Sequence, residues 1–297
     1  MPELQRVDWG EIELHEGVTL RPRAIRIGAG APRHVIVTGL HGDETTGAYV
    51  LQHLVEEGTA DLPGTVDLVT MPNWLGLIMD RRDSPLDGAN LNRLFGERTP
   101  PGGSANIAAA LLQFMAGADL VLDLHSWESP SCVLGISYRL PSVSTRAGRA
   151  LAHLACEYVW IPEVEGFGDT LGARLTSMVI ENAGIEYPPA WLIAPGDVAR
   201  WSDALRRALR DSESPPAFPP AGGRRAIRTP AAGLFDPLVD PGQRVREGQV
   251  LARILGVSTL SVECTLTAPE DATVLHLENR RFLHPGDVAV FLGGKQS

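Results

Sequence analysis

Arg33-His-Val-Ile-Val-Thr38-Gly39-Leu-His41-Gly42-Asp-Glu44 is the stretch on which the fold turns. Its first six residues form a short apolar, β-branched run of the kind buried in a sheet. Gly39 to Gly42 is a glycine-flanked turn, and the spacing predicts a helix from Thr45 to Glu57. A second run, Leu120-Val-Leu-Asp-Leu124, has the same buried-strand character, broken by Asp123, and ends on His125. His41, Glu44 and His125 therefore fall where strands meet loops, the edge at which α/β sheets place their ligands. Two imidazoles and one carboxylate are the protein ligands of a hydrolytic zinc ion, which keeps one coordination position open. A lone His-x-x-Glu is common by chance; the strand-turn-helix context gives this one weight. Asp123 is expected to face His125 or a neighbouring imidazole, since a buried carboxylate needs a partner and a metal-binding ring needs its tautomer fixed.

Composition sets the frame. At 297 residues, 44% of them hydrophobic, the chain can bury a substantial core and is long for one domain. No apolar run approaches a membrane span, and the N-terminus lacks the basic start and apolar stretch of a signal peptide, so a cytoplasmic location is expected. A formal charge of −10 disfavours nucleic acid and anionic membranes as partners. Cys132, Cys156 and Cys264 are odd in number and lack metal-like spacing, which argues against a disulfide framework.

Upstream of Asp211, strand-like runs at Arg33 to Thr38, Thr65 to Met71 and Leu120 to Leu124 alternate with helical patterns at Ile107 to Ala116, Arg146 to Glu157 and Val198 to Arg210. That alternation predicts a three-layer α/β/α catalytic domain over 1–211. Residues 212–223 are a Pro/Gly-rich linker, and 224–297 a smaller all-β, barrel-sandwich-like domain with turns at Asp240-Pro-Gly-Gln, Arg246-Glu-Gly-Gln and His284-Pro-Gly-Asp. The stretch Val239 to Leu251 resembles the half-motif of biotinyl and lipoyl carriers. A carrier needs an exposed lysine at a hairpin tip; the chain's one lysine is Lys295, so the carrier function is not expected.

Four segments together carry a wider resemblance: Gly39-Leu-His-Gly-Asp-Glu44, Asn73 through Asn92-Arg93, Asp123-Leu-His125 and Gly184-Ile-Glu186. In this order the chain resembles the aspartoacylase and succinylglutamate desuccinylase family, zinc amidohydrolases with a carboxypeptidase-like domain and an appended β domain. The resemblance implies one zinc per chain, held by His41, Glu44 and His125. It implies Arg82, Asn92 and Arg93 as groups that hold a substrate carboxylate, with Arg82 also beside the oxyanion and Arg174 as a further carboxylate-binding arginine. Guanidinium and amide donors suit that task. Arg81 is read as a solvated surface charge. Asn90 stands where the family shows Asp, a lost negative charge that is expected to retune the arginines' partners.

The general base implied is Glu186, ahead of Glu181, which reads as the end of a helix over Leu175 to Asn182. Some family members add a tyrosine from the β domain, whereas none follows Tyr187 here, so the pocket must be closed differently. The resemblance thus implies hydrolysis of a linear amide in a small N-acyl amino acid or related carboxylate. A metallocarboxypeptidase acting on peptides and a non-catalytic zinc-binding protein remain as alternatives. The acyl group is not fixed, another divalent metal is not excluded, and a homodimer is left open.

Overall fold

A computed structural model describes residues 4–163, 167–194, 196–211 and 216–294. The Arg33–Thr38 strand is buried along nearly its whole length and lies at the centre of the molecule. It pairs in parallel with Thr65–Thr70 on one side and Leu120–Ser126 on the other. Leu120–Ser126 then pairs in parallel with Asn182–Tyr187. The carboxyl ends of these strands share one edge, so the turn after Thr38, the His125-Ser126 corner and Glu186 come together there.

Helices cover both faces, as the alternation predicts. On one face Thr46–Glu56, Arg146–His153 and Asp197–Arg210 pack through Val50, Leu54, Leu151, Trp201 and Leu205. On the other, Gly103–Met115 and Leu171–Ser177 pack through Ile107, Leu111, Met115 and Leu175. The three-layer arrangement follows from these two apolar clusters lying against opposite faces of one sheet.

One expected helix, Leu175 to Asn182, is displaced toward the N-terminus. Leu171–Ser177 stops well before Asn182, because Val179 takes a φ of +61° that reverses the chain, and Asn182–Tyr187 is a strand. Periodicity does not separate a short buried strand from the end of a helix, and here tertiary pairing with Leu120–Ser126 decides.

The C-terminal strands do not form an isolated sheet. Ala221–Arg228 starts inside the segment read as linker and pairs in parallel with Tyr158–Trp160, then antiparallel with Val288–Gly294. The result is one twelve-stranded sheet, faced in the C-terminal region by a four-stranded sheet around Leu251, Ile254 and Val290. The three expected turns are present. Gly242, Gly248 and Gly286 have φ of 84°, 77° and 90°, and each turn closes from the first residue's carbonyl to the fourth residue's N–H. Among the described residues no helix is long and apolar enough to cross a membrane.

Asp67, fully buried on the Thr65–Thr70 strand, is held by Arg26 (2.7 and 2.9 Å) and Arg33 (3.0 Å). Replacing it leaves two partly buried guanidinium groups without their carboxylate. Asp67→Ala is expected to destabilise the chain by about 3 kcal/mol, read as a lowered denaturation midpoint; an unchanged midpoint would show that water replaces the carboxylate at no cost.

Candidate metal centre

Backbone geometry sets the site before any side chain does. Gly39 has a φ of +82°, and a Cβ there would collide with Met71, so the turn after the central strand requires glycine. Gly42 packs its α-carbon against the backbone of Gly76, Leu77 and Arg81, leaving no room for a side chain. This close approach presses the His41 turn onto the loop that carries Arg82, and Gly42 N–H donates to the Arg82 carbonyl at 3.2 Å. Asn73 completes the brace. Its side chain caps the Trp74–Ile78 helix at the Gly76 N–H and donates to the same Arg82 carbonyl at 3.0 Å.

His41, Glu44 and His125 are 3%, 3% and 4% exposed, and their ligand atoms lie within 4.8 Å of one another. His41 Nδ1 stands 2.8 Å from Glu44 Oε1, and His125 Nδ1 stands 2.7 Å from Glu44 Oε2. The opposite nitrogen of each ring is also engaged. His41 Nε2 lies 3.2 Å from Asn90 Oδ1, and His125 Nε2 lies 2.8 Å from Asp123 Oδ2. Asp123 thus takes the expected place beside His125. Asn90 faces His41 rather than an arginine.

Counting protons tests whether a cation fits. Each imidazole has an acceptor oxygen at both nitrogens, while a neutral ring carries one N–H. A neutral ring therefore leaves one of its two nitrogens facing an oxygen lone pair to lone pair. Burial opposes positive charge on His125, yet Asp123 and Glu44 outweigh it and hold its pKa well above the ordinary value. Burial likewise pushes the Glu44 carboxyl up, and the facing imidazoles outweigh it and hold the carboxyl well down. A dication among the Nδ1 atoms and the carboxylate removes the conflict: each ring keeps only its Nε2 proton, donated to Asn90 or Asp123. The donor set fits a metal such as zinc.

Glu186 follows from strand register. It sits directly beside His125 in the parallel pair and so projects from the same face of the sheet. Burial, and then the nearby Glu44, raises its carboxyl pKa to about 8, while His125 and Arg82 act the other way. Glu181, by contrast, accepts from the Ala147 N–H at 2.7 Å at the start of the Arg146–His153 helix.

The arginines separate in space. Arg82 hydrogen-bonds Glu44 Oε1 and completes the ring of charges around the cluster. Asn92 lies 3.4 Å from His125 Nε2 and accepts from the Leu171 N–H. Arg93 is exposed, bonded to the Asn92 carbonyl and placed 5.5 Å over the Phe167 ring. Arg174 pairs with Glu97 at 3.1 Å, and among the described residues no hydrogen bond joins it to the cluster. Arg81 is exposed, as expected, and Lys295 lies outside the described residues. Asn73 and Asn90 have supporting roles that the sequence alone did not assign.

Residues 30–162 match the succinylglutamate desuccinylase/aspartoacylase catalytic domain, a span that contains all three candidate ligands and ends before Glu186. The N-alpha-acetyl-L-2,4-diaminobutyric acid deacetylase of Halomonas elongata is 36% identical over 120 residues, which are 40% of this chain and 33% of that protein. The matched stretch thus spans about a third of that relative's length. An aspartoacylase family protein from Mesorhizobium loti superposes with a TM-score of 0.77 at 19% identity, covering 100% of this chain and 96% of the other. The product-bound ectoine utilization protein of Ruegeria pomeroyi gives 0.76 at 19% identity, covering 98% and 94%. These structures share the fold along the whole chain, C-terminal strands included.

The proton that Asp123 and Glu44 hold on His125 predicts that loading the metal-free chain with zinc releases protons. Calorimetric titration in buffers of different ionisation enthalpy is expected to give buffer-dependent heats, and buffer-independent heats would mean the rings are already neutral.

Proposed function

From a chain that carries the succinylglutamate desuccinylase/aspartoacylase catalytic domain, we propose a zinc-dependent amidohydrolase that removes the acyl group from an N-acyl amino acid or a related small carboxylate. One observation carries this reading: Glu186 lies in register beside His125 at the strand edge where His41, Glu44 and His125 converge. A general base and a Lewis-acid site are thereby set side by side.

His41, Glu44 and His125 would hold the metal, with Asn90 and Asp123 fixing the rings. When bound, zinc supplies the Lewis acidity that makes an amide carbonyl electrophilic and a water acidic. Glu186 takes the proton of the attacking water as its oxygen adds to the amide carbon. As the C–N bond breaks, the same carboxyl returns that proton to the departing nitrogen, leaving a carboxylic acid and a free amine. Burial raises the pKa of Glu186 and so works against the lowering pull of a nearby dication, which keeps the carboxyl able to return a proton to nitrogen.

Arg82, anchored through its carbonyl by Gly42 and Asn73, sets a fixed positive charge at the cluster to oppose charge developing on the amide oxygen. Asn92 and Arg93 follow it on the same loop and are assigned to a substrate carboxylate. Arg174 already has Glu97, and its assignment to substrate rests on the resemblance alone. The acyl group is left to a panel of N-acetyl, N-succinyl and dipeptide substrates.

Glu186→Gln is expected to bind metal as before and to lose activity by about a hundredfold or more. In the unaltered enzyme, activity should fall as pH drops and Glu186 takes up its proton. The limb is expected below the value of about 8 that holds without metal, because a nearby dication favours the carboxylate. Full turnover by the glutamine variant would overturn the assignment. Arg93→Ala is expected to raise KM for substrates with a free carboxylate while sparing their amide-capped counterparts; equal effects on both would remove Arg93 from substrate binding.

A further inference from the structure

Two consecutive arginines on the Ala221–Arg228 strand meet different surroundings. Arg225 points outward and pairs with Glu270 at 3.4 Å. Arg224 projects from the opposite face into a box of aromatic rings. Its guanidinium carbon lies 4.2 Å from the Trp160 ring centre, 4.4 Å from Phe291 and 5.8 Å from Trp127. Among the described residues its side chain has neither an ion pair nor a hydrogen bond. Aromatic faces offset part of the cost of holding a guanidinium away from water, but they accept none of its five N–H groups as a carboxylate would.

The box adjoins the catalytic edge. Trp127 follows His125 by two residues, and its backbone N–H donates to the carbonyl of Tyr187, the residue after Glu186. Burial lowers the pKa of Arg224, and the one carboxylate charge that counters this is Glu186. The Trp127 indole nitrogen is a buried donor with no partner among the described residues. His276, stacked on Trp127 at 4.6 Å, supplies no negative charge. The pocket is therefore rich in donors and poor in acceptors. Trp160 also meets Phe167 edge-on at 5.1 Å, and Arg93 lies over the far side of that pair. One aromatic wall thus carries a guanidinium group at each end.

We propose that Arg224, supplied by the C-terminal strands, is a specificity-determining residue that binds an anionic group of the substrate, so that the favoured substrate carries a carboxylate besides the one assigned to Asn92 and Arg93. This rests on the N-acyl amino acid reading above. The Arg224 charge disfavours substrates bearing a cationic amine at that position. If Arg224 serves only as a packing strut, its loss weakens stability without changing which anions bind.

The test measures calorimetric binding of succinate and of acetate to the zinc-loaded chain, with tryptophan fluorescence as a second readout. Arg224→Gln is expected to weaken succinate about tenfold or more while leaving acetate unchanged, and to abolish the fluorescence response of Trp127 and Trp160. Arg224→Lys, which keeps the charge and loses the fork, should restore part of the succinate affinity and serves as the folded variant if the glutamine form does not fold. Equal losses for the two anions, or no loss for either, would overturn the proposal. Amine release by the unaltered enzyme is measured separately. Arg224-dependent succinate binding without amine release would leave this site standing and remove the reaction, whereas amine release with Arg224-independent binding would remove this site alone.

Discussion

A carboxylate held between two buried imidazoles imposes the central constraint on this molecule. Glu44 lies between two imidazoles whose outer nitrogens already face Asn90 and Asp123. A buried carboxylate between two rings is costly unless a positive charge sits with it, whether as a proton or as a dication. The surrounding structure answers to that need. Glycines at 39 and 42 let the backbone turn close enough for His41 and Glu44 to share a target, and the parallel pairing of three strands brings His125 and Glu186 to the same edge. Arg82 adds its charge to the cluster through Glu44.

How much of this was visible in the chain depends on how local each signal is. The Arg33–Thr38 strand, the turn and the Thr46–Glu56 helix were legible because periodicity and glycines mark them within a dozen residues. The apolar run before His125 was equally plain. Leu175 to Asn182 misled, because a short stretch of mixed polarity fits a helix end as well as a strand start, and only pairing with Leu120–Ser126 resolves it. That resolution separates Glu181 from Glu186: one carboxylate caps a helix, and the other lies beside His125.

Asn90 and Arg224 were illegible for a different reason. Asn90 looked like a lost charge, and its use as the acceptor for His41 emerges only when a loop from the Asn73 segment folds back over the turn. Arg224 is one of two adjacent arginines, and nothing in sequence tells which faces Glu270 and which enters a box of rings drawn from three distant segments. Side chains that act through contacts between distant segments leave little trace in local pattern.

The continuous sheet has a consequence for how such a chain can be altered. Val159 donates to the Pro220 carbonyl and Ile161 to that of Gly222, so the C-terminal strands cover what would otherwise be an open edge of the catalytic sheet. Removing everything after Asp211 would bare a row of unpaired amides next to Tyr158 and Trp160, a template for chain-to-chain association. The C-terminal strands are therefore a cap on a sticky edge as well as the source of Arg224. Single side chains along that seam can be exchanged far more readily than one C-terminal region for another, because a graft must also reproduce the seam's backbone register.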